Sequence, residues 1–281
     1  MAANEPIGLI AGAGRLPVLV ADGIIRAGKS PVIAGLSGFA NPILEGLGDS
    51  FAWTGLTRTG SWIRFLKRHG VKQSVMIGSV RKADMYLSMR FLRYLPDLRT
   101  ARLWYRRVRK DRRDNAVLLA VADELSSEGI ELMSSVEYCR EHLASEGTMT
   151  STSVPSKIAG DIEFGWKIAR AAADLDIGQA MAVKDRDIIA VEAVEGTDQM
   201  IKRAGQLCKS GNWTLLKVAR SNQDMRFDVP TVGPDTIKNL KDNGCCCLVV
   251  EAEKTLIVDR EATLKLADHL NIAVTGIKAG T

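Results

Sequence analysis

Short apolar runs punctuated by glycine and proline alternate with amphipathic stretches over the first half of the chain. Ile7-Gly8-Leu9-Ile10-Ala11 has the length and composition of a buried strand. Gly12-Ala13-Gly14 then turns the chain, and Pro17 falls where a helix's first turn tolerates it, opening a helix to about Ala27. Pro31-Val32-Ile33-Ala34 predicts the next strand, Thr59–His69 a helix, and Ser74-Val75-Met76-Ile77 a third strand. Asp114 stands at the start of a helix reaching to about Glu128, and Ile130–Met133 reads as a further strand. Strands alternating with helices at this spacing predict parallel βαβ units.

The pattern breaks between Ser145 and Lys157, where SEGTMTSTSVPSK carries small polar residues, a glycine and a proline. Beyond it a second α/β pattern begins. Asp161–Asp174 is helical, and Ala180–Val183 and Ile188–Val191 flank a hairpin turn at Lys184-Asp185-Arg186-Asp187. Gly196-Thr197-Asp198 opens a helix to about Leu207. Leu215–Val218, Cys247–Val250 and Thr255–Val258 read as strands, and Thr236–Asn243 and Arg260–Leu270 as helices. The expectation is an α/β protein: a Rossmann-like parallel-sheet domain over 1–145, a linker over 146–158, and a C-terminal α/β domain over 159–281 that carries catalysis.

Composition narrows this picture without changing it. The 281 residues are 46% hydrophobic and 25% charged, which excludes disorder as the main state. Five cysteines, three of them the run Cys245-Cys246-Cys247, suit a reduced core strand and not a disulfide scaffold. No apolar run approaches the ~18 residues of a membrane span, and no basic n-region precedes the first strand, so a cytoplasmic protein is expected. The net charge of +5 is unevenly spread: residues 90–113 carry +8, with Phe91, Tyr94, Trp104 and Tyr105 among the arginines. Such a basic amphipathic segment suits peripheral association with an anionic membrane surface; a solvated helix face and nucleic-acid contact are the other readings.

Several stretches could carry chemistry. Gly12, Ala13, Gly14, Arg15 and Leu16 bridge a strand end and a helix N-terminus, where backbone N–H groups attract phosphate. Pro17 occupies the third glycine position of a G-x-G-x-x-G pattern, and no acidic residue ends the second strand, so a nicotinamide-dependent oxidoreductase is only the alternative reading. Gly78 and Ser79 follow the third strand and should neighbour the Gly12 turn, with Arg81 and Lys82 beyond. Glu192, Glu195 and Asp198 lie close in sequence around Thr197, a helix cap. The segment Lys217–Gly233 is densest, with Lys217, Arg220 and Arg226 beside Asp224 and Asp228 on a proline-fixed loop. Mixed acid and base there suits a Mg²⁺–phosphate site, or else a surface salt-bridge loop. His69, His142 and His269 sit apart without zinc spacing, and no nucleophile elbow is present.

Three of these stretches together resemble one family. IGLIAGAGRLP, LDIGQAMAVKDRDIIAVEAVEGTD and Q-x-x-R-x-D-V-P-T-V-G are similar to the UDP-2,3-diacylglucosamine pyrophosphatases of lipid A biosynthesis, in their two-domain form without a metallophosphoesterase fold. The resemblance extends over nearly the whole chain, including VDREA at Val258–Ala262. It implies Mg²⁺-dependent hydrolysis of UDP-2,3-diacylglucosamine to UMP and the lipid X product, water attacking the α-phosphorus, with substrate held between two domains. It places the key aspartate on Asp228, as metal ligand or proton acceptor. It also implies Gln223, Arg226 and Thr231 as substrate contacts, and it matches Asp176–Gln179 and Glu195–Asp198 to family motifs. Gly12–Leu16, Gly78, Ser79, Thr197 and Lys217 complete the expected substrate set, with Asp198 and Glu195 as further catalytic carboxylates. Two departures stand out: Lys217-Val218-Ala219-Arg220-Ser221 lacks the family's two prolines, and Ile77–Ala83 lacks its asparagine and proline. The oligomeric state stays open, a homodimer included. A non-catalytic membrane-surface binder is the remaining alternative.

Overall fold

Pro6–Ala11 forms β1, with all but its first residue buried, as the continuous apolar run requires of a strand covered on both faces. The computed structural model of the chain describes residues 5–80, 95–109 and 114–278. It divides into two compact units, one of residues 1–140 with 225–227 and one of 141–224 with 228–281.

In the N-terminal unit, β1 is followed by α1 (Leu16–Arg26), β2 (Ser30–Leu36), β3 (Ser50–Thr54), α2 (Thr59–Arg68) and β4 (Gln73–Ile77). After them come α3 (Leu98–Leu103), α4 (Asp114–Ser126) and β5 (Glu131–Leu132). The five strands are all parallel in the order β3-β2-β1-β4-β5, a Rossmann-like sheet whose order reverses between β1 and β4. Ile10 and Val32 share a core with Trp62 and Leu66 of α2 and Leu125 of α4. The alternate positions Leu9 and Ile33 are also fully buried, which strand periodicity assigns to the opposite face.

The strand β3 was not expected. Its residues are half-exposed on the sheet edge, so Ser50–Thr54 lacks both alternation and a buried run. Of the basic segment, residues 90–94 and 110–113 lie outside the described residues, as do Arg81 and Lys82. Within the described part, Asp97 caps α3 by accepting from Thr100 N at 2.8 Å, and its other oxygen accepts from Gly60 N at 2.9 Å. Helix α3 continues as a π-helical turn, Trp104–Val108.

The C-terminal unit contains β6 (Gly147–Thr148), α5 (Ala159–Asp174), β7 (Ala180–Lys184), β8 (Asp187–Val191), α6 (Thr197–Leu207) and β9 (Trp213–Lys217). Then follow β10 (Thr231–Val232), α7 (Pro234–Asp242), β11 (Cys245–Glu251), β12 (Leu256–Ile257), α8 (Arg260–His269) and β13 (Ala273–Ile277). The main sheet runs β6-β13-β11-β9-β7-β8, parallel across β13, β11 and β9 and antiparallel across β7, β8 and β6. Side chains alternate between two cores. Ala182, Leu215, Leu248 and Val274 pack with α6, α7 and α8, while Val183, Leu216, Val249 and Ala273 pack with Trp166 and Ala169 of α5.

Two expectations are corrected here. Residues 146–158 are not a free linker: Gly147–Thr148 pairs with β13, Met149 N donates to Val274 O at 2.8 Å, and Thr152 N donates to Asp268 Oδ1 at 2.8 Å. Polar, small side chains there serve an edge strand and side-chain-bonded turns. Of the expected strand Thr255–Val258, Leu256–Ile257 forms β12, which pairs with β10 outside the main sheet. The cysteine run is a buried strand, interrupted by a register shift that sends Cys245 and Cys247 to different cores. Burial pushes the Cys247 thiol up to about 12 and raises Cys245 and Cys246 as well, which disfavours the thiolate at all three.

At the β1–β4 switch point, a Cβ on Gly78 would lie 2.7 Å from the Gly12 carbonyl carbon, and Gly78 has φ +103°. Gly70 has a φ of +71° with open space around it. Gly78→Ala should therefore cost at least about 2 kcal/mol and Gly70→Ala about 1 kcal/mol, measured by urea unfolding. Equal effects would show that backbone strain alone, not strand proximity, governs the switch point.

Candidate active site in the C-terminal unit

Because β7 runs antiparallel to β9, its first residue, Ala180, sits opposite Lys217, the last residue of β9. Val191, which ends β8, sits opposite Met181. The segments entering β7 and leaving β8 and β9 therefore meet at one sheet edge, together with the first turn of α6. A cavity of about 400 Å³ opens there. Gln179 and Ile177 line it from the α5–β7 loop, Glu192 and Thr197 from the β8–α6 connection, and Lys217, Arg220 and Asp228 from β9 and the loop beyond it.

The polar groups form a connected network. Lys217 Nζ donates to Thr197 Oγ1 at 3.2 Å, and Thr197 Oγ1 donates to Glu192 Oε1 at 2.9 Å. The other oxygen of Glu192 accepts from Gln179 N at 3.3 Å. Gln179 Nε2 in turn lies 3.3 Å from both Asp228 Oδ2 and Gln223 Oε1. Gln223 closes the loop on itself, donating to the Asp228 carbonyl and accepting from Arg220 N at 3.0 Å. Arg220 is paired with Asp176 at 2.7 Å.

Behind the loop stands a buried carboxylate. Glu251, fully buried at the end of β11, accepts from Ala219 N, Arg170 Nη1 and Lys254 Nζ, each at 2.9 Å. Arg170 Nη2 reaches Ser221 Oγ at 3.1 Å, and Asp174 accepts from Ser221 N at 2.7 Å. Ser221 Oγ donates to the other Asp174 oxygen at 2.8 Å, and these two bonds from Ser221 hold the Asp174 carboxyl below its ordinary value. The loop that carries Asp228 thus starts from a fixed base.

Lys217 is 8% exposed. Burial lowers its pKa, and the negative charges of Glu192, Asp198 and Asp228 only partly oppose that shift.

The chain matches the LpxI N-terminal domain over residues 6–142 and the LpxI C-terminal domain over residues 145–275. It belongs to the LpxI family. It is 33% identical to the UDP-2,3-diacylglucosamine pyrophosphatase LpxI of Caulobacter vibrioides, over 96% of this chain and 97% of that protein.

Of the residues singled out in this LpxI sequence, Asp228, Thr197, Lys217 and Thr231 line the cavity, and Gln223 braces Asp228. Glu195 does not line it: Glu195 Oε1 is paired with Arg203 Nη2 at 2.5 Å, a partner on the next turn of α6 that draws it aside. Asp198 lies in the first turn of α6 beside Asn239 and acts on Lys217 only through its charge. Arg226 belongs with the N-terminal unit and stacks on the Phe227 ring at 5.0 Å. Gly12, Ala13, Gly14, Arg15, Leu16, Gly78 and Ser79 also lie in that unit. The Gly12 and Ala13 amides are not open to phosphate. Gly12 N donates to Ile77 O at 2.8 Å and Ala13 N to Ser79 O at 2.9 Å, tying the turn to the end of β4. The two turns are neighbours, as parallel-strand logic requires, and that closeness is what occupies the amides.

Sequence reasoning singled out Glu192 beside Glu195 and Asp198 but gave it no role, and it missed Glu251 and Arg170 as supports. A charged residue closing an otherwise apolar run, as Glu251 closes Cys245–Val250, was the readable signal.

Among the described residues no group of three or more His, Cys, Asp or Glu could hold a metal ion. The cavity's carboxylates, Asp228 and Glu192, are oxygen donors of the kind Mg²⁺ takes one or two at a time, the rest coming from water and substrate phosphate. The donor set fits that cation and not zinc.

Since its surroundings disfavour the charged form, Lys217 costs stability at neutral pH. Lys217→Met should stabilise the protein by about 1–2 kcal/mol at pH 7 while lowering kcat/KM about 100-fold. Its folded-state pKa lies below the ordinary 10.5, so wild-type stability relative to the variant should rise as pH climbs from the lowered value towards 10.5. Urea titrations of both proteins across the alkaline range test the sign.

Proposed function

We propose that this chain hydrolyses UDP-2,3-diacylglucosamine to UMP and 2,3-diacylglucosamine 1-phosphate, with Asp228 as its central catalytic group. The reading rests on the end-to-end family match and on one structural observation: a buried cation and a carboxylate facing one cavity. A water oxygen bonds to the α-phosphorus, the bond from that phosphorus to the bridging oxygen breaks, and the bridging oxygen leaves with the sugar phosphate. Asp228 accepts the proton from water. Lys217 and Arg220 neutralise phosphate oxygens; among the described residues Arg220 Nε is buried without a hydrogen-bond partner, so an entering anion would satisfy it. Gln179 and Gln223 hold Asp228 in place. Mg²⁺, held by Asp228 with Glu192 beside it, would supply charge neutralisation of the transferring phosphoryl group.

A second part of the proposal concerns residues 95–109, which we read as resting on an anionic bilayer where a diacyl substrate resides. Leu98 is 91% exposed and Tyr105 67%, among exposed Arg102 and Arg106. Bare apolar groups among cations suit a lipid surface. Among the described residues no helix is long and apolar enough to cross a membrane.

Purified protein should release UMP from UDP-2,3-diacylglucosamine with Mg²⁺ and lose that activity with EDTA. Asp228→Ala should lower turnover about 10²–10⁴-fold with an unchanged unfolding midpoint. Survival of activity in that variant would remove Asp228 from the mechanism. Sedimentation with phosphatidylglycerol vesicles should weaken several-fold in Leu98→Ser and fall with added salt; binding indifferent to both would place the lipid contact elsewhere.

A further inference from the structure

The stretch Asp176–Gln179 gives three of its four residues a fixed task. Asp176 pairs with Arg220, and Gln179 holds Asp228 and Gln223. Gly178 lies so close to the neighbouring loop that a Cβ there would sit 2.0 Å from the Glu192 carbonyl oxygen. Ile177 has no such task. Its side chain lines the cavity and is still 50% exposed, so it stands at the opening. Leu175, two residues earlier at the end of α5, is 72% exposed. On the facing loop Ala193 also lines the cavity, and Val194 next to it is entirely exposed.

Scattered exposed aliphatic residues are ordinary. These differ in their place. Two loops locked together through Gly178, Gln179 and Glu192 each line a charged cavity with one aliphatic side chain, Ile177 and Ala193, and carry a further exposed one close by in sequence, Leu175 and Val194. A ligand complementary to both parts is an amphiphile, its phosphates among Lys217, Arg220 and Asp228 and a hydrocarbon chain leaving across the rim.

We infer that Leu175, Ile177 and Val194 form a contact site for a fatty acyl chain of the substrate, so that the rim reads acyl length while the interior handles the pyrophosphate. This rests on the reaction proposed above. An acyl chain passing over three aliphatic side chains removes them and several of its own methylenes from water, each methylene contributing about fourfold in affinity. The site therefore favours long-chain over short-chain substrates and acts through kcat/KM.

The test compares UDP-2,3-diacylglucosamine bearing long acyl chains with the diacetyl analogue, both dispersed in detergent, on the intact chain and on the Leu175→Ser/Ile177→Ser/Val194→Ser variant. All three positions are half-exposed or more, and a thermal unfolding scan confirms that the variant is folded. The ratio of kcat/KM, long-chain over diacetyl, should fall about tenfold or more in the variant. An unchanged ratio, with UMP still formed, overturns the acyl site and leaves the reaction standing. A fall seen only with substrate embedded in vesicles overturns it in favour of a contact with the bilayer. No UMP from either substrate with the wild-type chain means that the reaction itself was misread, which the other outcomes do not.

Discussion

The geometry of the C-terminal unit depends on keeping one ammonium group buried at the end of a strand. Lys217 closes the buried run Trp213–Leu216 and is itself 8% exposed, at the cavity. A desolvated cation needs hydrogen-bond acceptors and negative charge nearby, or the chain must abandon that packing. Reversal of β7 between β8 and β9, which run the same way, supplies them. It brings Thr197 and Glu192 over the lysine and sets Asp198 and Asp228 within range of its charge. A β7 parallel to β9 would start at the opposite end of the sheet and take Gln179 away from Glu192 and Asp228.

A second charge sits one strand away and works in the opposite sense. In the β9–β11 register Lys217 is opposite Val250, so Glu251 follows immediately on the neighbouring strand. The two do not pair with one another. Glu251 spends its oxygens on Arg170, Lys254 and the Ala219 amide, fixing the chain just past Lys217. The consequence is a division of labour between adjacent strand ends, one facing the cavity and one anchoring the loop that lines it. Serine and aspartate bonds at Ser221 fulfil the holding role that the family's prolines would play in that stretch.

Much of this was legible in the chain. Apolar periodicity located β1, β2, β4, β7–β9 and β11 and the helices between them, because buried strands carry continuous runs and capped helices announce their ends. What escaped was marginal by physical criteria, except β13, whose five residues are almost all buried and which went unread. β3 is a half-exposed edge, while β6 and β10 are two-residue pairings that only a partner strand makes into structure. The site was legible where charge density was high, at Lys217–Asp228, and illegible where long-range pairing decides. Nothing local says that Glu195 will turn to Arg203 while Glu192, three residues earlier, faces the cavity. Nor can a glycine-rich turn reveal that its amides are consumed by the next loop, since that requires knowing how closely Gly12 and Gly78 approach.

The electrostatics of the network bear on how it acts. Arg220 is already compensated by Asp176, whereas Lys217 meets a hydroxyl at 3.2 Å, with its nearest carboxylates partly solvated. The folding energy has therefore already covered the removal of water from the lysine, which in solution would be the larger cost of bringing an ammonium against a phosphate. An entering phosphate oxygen gains a cation whose position is fixed by β9 and which is already largely buried. Preorganisation of this kind stabilises developing charge without further rearrangement. It also explains why a group that weakens the fold is housed at the cavity and not on the surface: its usefulness to an anion is the same property, poor solvation, that makes it costly to the protein.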